Sequence, residues 1–264
     1  MSSFFIAFRV LAPERRAAIE AVYAFCRAAD DAVDDARDRD EGARALASVR
    51  ARLDEAFRGG GAPALAEAIR RFELPRRPFD DLLEGCTWDL EGRRYPDREA
   101  LRAYAYRVAS TVGLLCVRIF GATGPGRERY AEELGIALQW TNVLRDVRPD
   151  LARGRLYLPA SSLRSHGVTE EDLRSREPYA RERIAALVLG EAAYARSRFA
   201  AARAALDPED RPRVLSGSIM AAVYEALLSR IERAGDRVLD AELRLSAARR
   251  LWIAGRTLLR ERLG

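Results

Sequence analysis

Residues Leu138–Asp150, Leu-Gln-Trp-Thr-Asn-Val-Leu-Arg-Asp-Val-Arg-Pro-Asp, place amides and acids where a helix ordinarily buries carbon. Gln139, Asn142, Asp146 and Asp150 follow one another at steps of three, four and four residues, which is one face of an α-helix. Leu138, Trp140, Thr141, Val143 and Leu144 fill the remaining circumference, so the pattern predicts a buried helix carrying one polar stripe. An ionised carboxylate is costly to bury unless it is paired or bound to a metal. The stripe therefore requires partners from elsewhere in the chain or from a ligand.

A second stripe lies near the start of the chain. Tyr23, Arg27, Asp30 and Asp34 step by four, three and four residues, with Val22, Phe25, Cys26 and Val33 as apolar flanks. Two such stripes facing each other across a cavity would form a set of hard oxygen ligands suited to Mg²⁺, which takes carboxylates, water and substrate phosphates. Arg27 and Arg145 sit beside the acids, where a guanidinium can grip a diphosphate bidentately or pair with the same aspartates. Asp31 and Asp35 are one residue off the stripe and read as solvated.

The runs Tyr23–Asp35 and Gln139–Asp150 resemble the two Asp-rich motifs of the squalene/phytoene synthase family. Ser2–Phe8, Tyr104–Gly113 and Arg153–Pro159 are also similar to family segments, in the family's order and over nearly the whole chain. The resemblance implies a single all-α domain, residues 1–264, of the isoprenoid synthase fold, with antiparallel helices around a central apolar cavity. It also implies head-to-head condensation of two farnesyl diphosphates to presqualene diphosphate. Asp30, Asp34, Asp146 and Asp150, with Asn142, would then hold Mg²⁺, or Mn²⁺ in its place. Arg27 and Arg145 would stabilise the departing diphosphate. Ser3, Phe4, Gln139 and Asn142 would meet substrate, and Tyr23 and Tyr224 would face the cation or orient the released diphosphate. Asp89, within Trp88–Tyr95, matches an acidic family position, whereas Tyr106 and Tyr157 read as structural.

Ser-Ser-Phe-Phe at the start, Phe-Cys-Arg before the first motif and Arg-Gly-Arg-Leu-Tyr-Leu-Pro after the second are most similar to the bacterial hopanoid-pathway branch that makes presqualene diphosphate. Bacterial phytoene and dehydrosqualene synthases share most of these features. A non-catalytic helical scaffold of the same fold is the alternative from another class; it should have lost Asp-motif residues, and both pairs are present here. No nucleotide-binding fingerprint is seen, so the reading includes no NADPH-dependent reduction.

Composition narrows the field. Of 264 residues, 48% are hydrophobic and 32% charged, the balance of a globular protein with an ample core. No apolar run approaches the roughly 18–20 residues of a membrane span. Arg9 and Pro13 interrupt the start too early for a secretory signal. A cytoplasmic protein follows as the expectation. The net charge is +5, but basic residues (45) are nearly matched by acidic ones (40) and are spread along the chain, which argues against nucleic acid. A mildly basic surface does suit transient contact with anionic lipid on the inner membrane face. A downstream enzyme that receives the product is the other partner implied. Cys26, Cys86 and Cys116 form no Cys-x-x-Cys and read as small core residues. His166 is the only histidine and reads as a loop residue, leaving carboxylates, arginines and tyrosines to run any chemistry.

The elements that must position these groups are all helical. Pro13 opens a helix whose pattern continues to about Asp40; Arg58–Pro63 is a loop and Leu74–Pro78 a break. A helix follows through Phe79, Leu82, Leu83 and Trp88. Asp97 caps a long helix to Phe120, thinned at Ala109, Ser110, Thr111 and Gly113, where either another helix or, as the resemblance implies, a prenyl chain can approach. Gly121–Gly126 turns into the second motif helix, which Pro149 breaks, leaving Asp150 on its frayed last turn. Arg153–Pro159 reads as an extended segment able to lie over the site. Thr169–Asp172 is a capping box, Pro178–Ala205 an amphipathic helix, and Asp207-Pro208 the start of the helix bearing Tyr224. A last helix spans Ser246 to Leu263. No strand or repeat is evident.

Overall fold

The computed structural model describes residue 8 and residues 11–175, 177–240 and 243–263; Ser3 and Phe4 lie outside them. The described residues contain helices and no strand. Helix α1 (Pro13–Asp34) begins with its proline in the first turn and buries Ala18, Ile19, Val22, Phe25, Cys26, Ala29 and Val33, a continuous 3.6-residue stripe. It stops at Asp34, short of the expected Asp40, because Asp38 caps a new helix, α2 (Arg39–Phe57), by accepting from the Glu41 amide at 2.8 Å. Helices α3 (Pro63–Phe72) and α4 (Arg76–Leu90) follow, and α1 packs on α2, α3 and α4. Phe25, Phe57 and Phe79 meet edge-on at this junction, with centroids 5.2 and 5.8 Å from Phe79. Burying each such ring contributes about 1.5–3 kcal/mol.

Helix α5 (Arg98–Phe120) starts where Asp97 accepts from the Ala100 amide at 2.9 Å. By length and composition it is the one described helix able to cross a membrane, its most apolar 18-residue stretch having a mean hydropathy of 1.2. In the fold it packs against α4 and against α6 (Arg127–Arg145). Its middle turn, Tyr106–Ser110, is π-helical, and the widened turn brings the Ser110 hydroxyl to the Glu132 carbonyl of α6 at 2.7 Å.

This packing takes up part of the thin surface on α5. Ser110 and Thr111 are fully buried, and a Cβ on Gly113 would come within 2.9 Å of the Ala131 carbonyl. Ser110 and Thr111 therefore meet a helix, while Ala109 and Gly113 keep partly open surface. A Cβ on Gly135 of α6 would lie 2.4 Å from the Ser110 Cα, backbone that cannot swing aside. Gly135→Ala is therefore expected to destabilise the protein by about 3 kcal/mol, read as a lowered midpoint in urea or thermal denaturation.

After α6 come three short helices, α7 (Val147–Ala152), α8 (Ala160–Ser165) and α9 (Glu170–Ser175). Helix α9 carries the reciprocal capping box, with Thr169 N to Asp172 Oδ2 at 2.8 Å and Asp172 N to Thr169 Oγ1 at 3.1 Å. Helix α10 (Arg181–Ala205) lies along α6. The two are pinned by Glu191, fully buried, which accepts from the Trp140 indole at 2.9 Å and from Arg98 of α5 at 3.0 Å. The pin matters because α6 presents the second stripe. Helix α11 (Leu215–Ala234) carries Tyr224 and packs on α10 and α6, and α12 (Ala247–Leu263) packs on α11. Asp207-Pro208 does not start the Tyr224 helix, which begins at Leu215. It opens a short 3₁₀ helix, Pro208–Asp210, without a side-chain cap. Asp207 accepts instead from the Gly126 amide while Asp210 accepts from the amides of Thr123 and Gly124, and the two hold the turn that launches α6.

Candidate active site

Both stripes reach one cavity, for different local reasons. On α1 the apolar face faces the core, which turns Arg27, Asp30 and Asp34 to its edge. On α6 almost every side is buried, including Trp140, Thr141, Val143 and Leu144, so the polar stripe is the one face left for a cavity. The helix ends at Arg145, one turn before Pro149. Pro149 has no N–H to give the Arg145 carbonyl, but it fits the first turn of the next helix. Asp146 therefore sits at a junction with φ −103° and ψ 14°, the sparsely used bridge region where many active-site residues are found. Asp150 is thus on α7 and not on a frayed end of α6. Because Asp146 N still bonds Asn142 O at 2.8 Å and Asp150 N bonds Asp146 O at 2.9 Å, the stripe continues across the break.

The cavity measures about 360 Å³ and is bounded by Asp30, Asp34, Asp89, Asn142, Asp146 and Asp150. Through Arg27, Asp34, Arg145, Asp146, Asp150 and Arg153 it shares walls with a second chamber of about 720 Å³. The second chamber adds Val223, Tyr224, Leu227, Leu243 and Leu245 together with Arg244 and Arg250, so it too is polar over much of its wall but carries an apolar side that the inner chamber lacks. A polar pocket joined to a larger one with an apolar side suits a ligand with a charged head and a hydrocarbon tail.

Charges in the site are partly paired. Arg145 forms a bidentate pair with Asp146, its Nε 2.7 Å from Oδ1. Arg27 pairs with Asp31, 3.0 Å away, and not with a stripe residue. Asp34 receives Arg155 at 2.7 Å and Arg153 at 3.5 Å from the segment after α7, which crosses over the cavity as its composition predicted and ties one stripe to the other. Asp30 has the Cys86 thiol 3.9 Å away. Burial raises the Asp30 carboxyl to about 7, and Asp34 and Asp89 push in the same direction. Burial, then Asp146, raises Asp150 to about 7 as well, against the pull of Arg155 and Arg153. Burial and the neighbouring Asp30 and Asp89 keep Cys86 a neutral thiol, unsuited to act as nucleophile or ligand.

Asp89 accepts from the hydroxyls of Tyr104 at 2.8 Å and Tyr157 at 2.6 Å, and the two rings stack with centroids 5.2 Å apart. Burial raises its carboxyl to about 6, while the two phenols restrain it. Tyr157 is thus part of the site and Tyr106 is not; Tyr106 lies in a separate pocket with Pro75, Pro78 and Leu114. Asp89→Ala would remove the acceptor that Tyr104 and Tyr157 share, leaving a buried phenol donor unpaired at a cost of about 1–3 kcal/mol. Expected are a clearly lowered melting temperature and a tenfold or greater loss of turnover, with Asp89→Asn restoring most of the stability.

Gln139 accepts from the Asn142 amide at 3.2 Å, and both line the inner chamber. Buried Tyr224 directs its hydroxyl at Arg145 and Asn142; burial raises the phenol while those two partners oppose the shift. Tyr23 is half-buried one turn before Arg27 and lines neither chamber. His166 closes α8 with Nδ1 2.8 Å from the Ser162 carbonyl, away from both chambers. Arg153, Arg155, Cys86 and Tyr104 were not singled out from sequence. The two arginines had a signal: they alternate around Gly154 in a segment already expected to cover the site, so they can face the same side.

Among the described residues, no three His, Cys, Asp or Glu side chains converge as a ready-made ion cage. The donor set still fits divalent cations: carboxylates from two elements surround one cavity, their mutual repulsion is incompletely offset, and the buried Asn142 Oδ1 has no hydrogen-bond partner. A cation would supply what that oxygen and those carboxylates lack.

A sequence profile described as squalene/phytoene synthase matches residues 1–249. A presqualene diphosphate synthase of Rhodopseudomonas palustris is 36% identical over 256 residues, 96% of this chain and 91% of the relative. A phytoene synthase of Mycobacterium tuberculosis is 34% identical over 262 residues, 97% of this chain and 86% of the relative. Among solved structures, a dehydrosqualene synthase in complex with ligand superposes with a TM-score of 0.86 at 27% identity, covering 99% of this chain and 92% of that one.

Proposed function

Since the chain belongs to the squalene/phytoene synthase family, with its isoprenoid synthase fold, we propose that it joins two farnesyl diphosphates head to head to give presqualene diphosphate. The observation that carries this reading is the single cavity bounded by Asp30 and Asp34 from one side and Asp146 and Asp150 from the other, with Arg27, Arg145, Arg153 and Arg155 among them. With Asp89 the cavity carries five carboxylates and four guanidiniums, a set that suits a diphosphate held by arginines and divalent cations together. Family members acting on diphosphates generally use a divalent metal. Asp30, Asp34, Asp146, Asp150 and Asn142 would hold Mg²⁺, which when bound supplies positive charge to the phosphate oxygens.

The residues of the chain account for the rest. Arg145 and Arg27 face the diphosphate and stabilise the charge that develops as the allylic C–O bond breaks and the electron pair leaves with diphosphate. The second substrate's double bond attacks the allylic cation, and proton loss closes the cyclopropane. Tyr224, fixed by Arg145 and Asn142, lies between the polar chamber and the apolar wall, where its ring can face positive carbon. The apolar residues of the larger chamber would take the prenyl tails. We place the reaction in the cytoplasm.

The test is to incubate the purified protein with farnesyl diphosphate and Mg²⁺, with and without NADPH, and identify products by mass spectrometry. A C30 diphosphate is the expected product. Dehydrosqualene, or squalene only with NADPH, would assign a neighbouring branch. The 34% identity to a phytoene synthase supports a second reading, in which geranylgeranyl diphosphate gives a C40 product. A folded, metal-supplied protein inert to both substrates would leave the scaffold alternative.

A further inference from the structure

Five large hydrophobic side chains stand exposed among the described residues, and three of them, Leu251, Trp252 and Leu259, lie on α12, each at least half exposed. The helix packs mainly on α11. It turns Ile253 and Ala254 inward. Arg249, Trp252, Arg256 and Arg260, at steps of three, four and four, form one exposed row, and Leu251, Gly255 and Leu259 form the next. Arg249 and Arg256 flank the indole, their guanidinium carbons 4.6 and 5.4 Å from its centroid. The one acid on the helix with a described side chain, Glu261, is half-buried and off this face. On the inner side, Arg250 lines the larger chamber with Tyr224 and Leu227.

We propose that the outer face of α12 docks on an anionic lipid surface. Exposed carbon on a water-facing helix is unfavourable, and what would cover it must accept both leucine and tryptophan and a row of arginines. An interfacial helix places aromatic and aliphatic side chains at the headgroup boundary while arginines meet lipid phosphates. A protein partner would need an apolar groove edged with acids, whereas an anionic bilayer supplies both by composition. Docking on this face would set the larger chamber one helix thickness from the membrane, so an apolar product need not cross water. The surface itself does not depend on which prenyl diphosphate is condensed.

The experiment is co-sedimentation of the full chain with vesicles of neutral phosphatidylcholine and with vesicles containing about one third phosphatidylglycerol. Binding is expected on the anionic vesicles, with a blue shift of tryptophan fluorescence, and it should weaken in about 0.5 M salt, where charges are screened over a few ångströms. The Trp252→Ser/Leu259→Ser pair should lower vesicle affinity at least tenfold, as should Arg249→Gln/Arg256→Gln, which keeps the apolar row. Both pairs should retain the wild-type melting temperature and turnover of detergent-dispersed substrate. Absence of wild-type binding to anionic vesicles would overturn the proposal. So would variants that bind vesicles like wild type but dissociate a dimer in sedimentation velocity, since a second copy of the chain would then be the occupant.

Discussion

Asp150→Asn is expected to lower kcat with farnesyl diphosphate by about a thousandfold while leaving the metal-free protein as stable as the wild type or more stable. The two effects part because the carboxylate is held against its own preference. Burial and the neighbouring Asp146 raise it to about 7, so the folded chain is relieved when the charge is removed and the shape kept. A residue retained at such a disadvantage is retained for what it binds. Asp30→Asn should behave alike, since burial, Asp34 and Asp89 oppose its charge in the same way. Asp172 supplies the contrast. Its carboxylate caps α9 through the Thr169 amide, which lowers its pKa, and it lines neither chamber. Asp172→Ala, which removes the capping acceptor, should therefore lower the melting temperature with kcat unchanged. Steady-state kinetics beside thermal melts in chelator separate the cases, and an Asp150→Asn protein that melts early would make that carboxylate a structural ion-pair partner.

What the sequence made legible was the part that depends on spacing. Asp30 and Asp34, four apart on a helix with an unambiguous apolar stripe, had to share a face. The caps at Asp97 and Thr169 are local chemistry and formed as their side chains predict. The features that escaped are non-local or depend on small backbone choices. Pro149 was legible as a breaker, but a proline withholds its bond from the carbonyl four residues earlier, so the break fell at Asp146 and the proline entered the next helix. Asp38 ended the first helix early by competing as a cap. The four small residues on α5 were readable as a close approach but not by whom; only the fold matches Ser110 to Gly135 and Gly113 to Ala131. Arg155 reaching Asp34 spans 121 positions, and no periodicity connects them. Nor does any pattern say that Asp89 gathers Tyr104 and Tyr157.

Removing the metal should abolish turnover, with Mg²⁺ or Mn²⁺ restoring it, and the same carboxylates set how the metal-free protein responds to pH. Asp30 and Asp150 titrate near 7 in the folded chain and Asp89 near 6, against 3.8 for a free aspartate. Between these limits the folded state holds more protons than the unfolded state, so stability falls as pH rises through about 4 to 7 and then levels off. The carboxylates of Glu41, Glu170, Asp172 and Asp210 are shifted down. Their contribution is complete above about pH 4.5 and is lost only in stronger acid, so it cannot produce a slope in the higher window. The chelator-treated protein should consequently melt at a higher temperature near pH 5 than near pH 8. Divalent cation with inorganic diphosphate favours the ionised carboxylates, so the rise in melting temperature on adding them should be larger at pH 8 than at pH 5.5. Binding near pH 6.5 should release protons, visible in calorimetry as a dependence of the apparent enthalpy on the buffer's ionisation enthalpy. A flat stability profile from pH 5 to 8, or binding without proton release, would mean that Asp30 and Asp150 are already ionised and offset, and that the cavity is not built around missing positive charge.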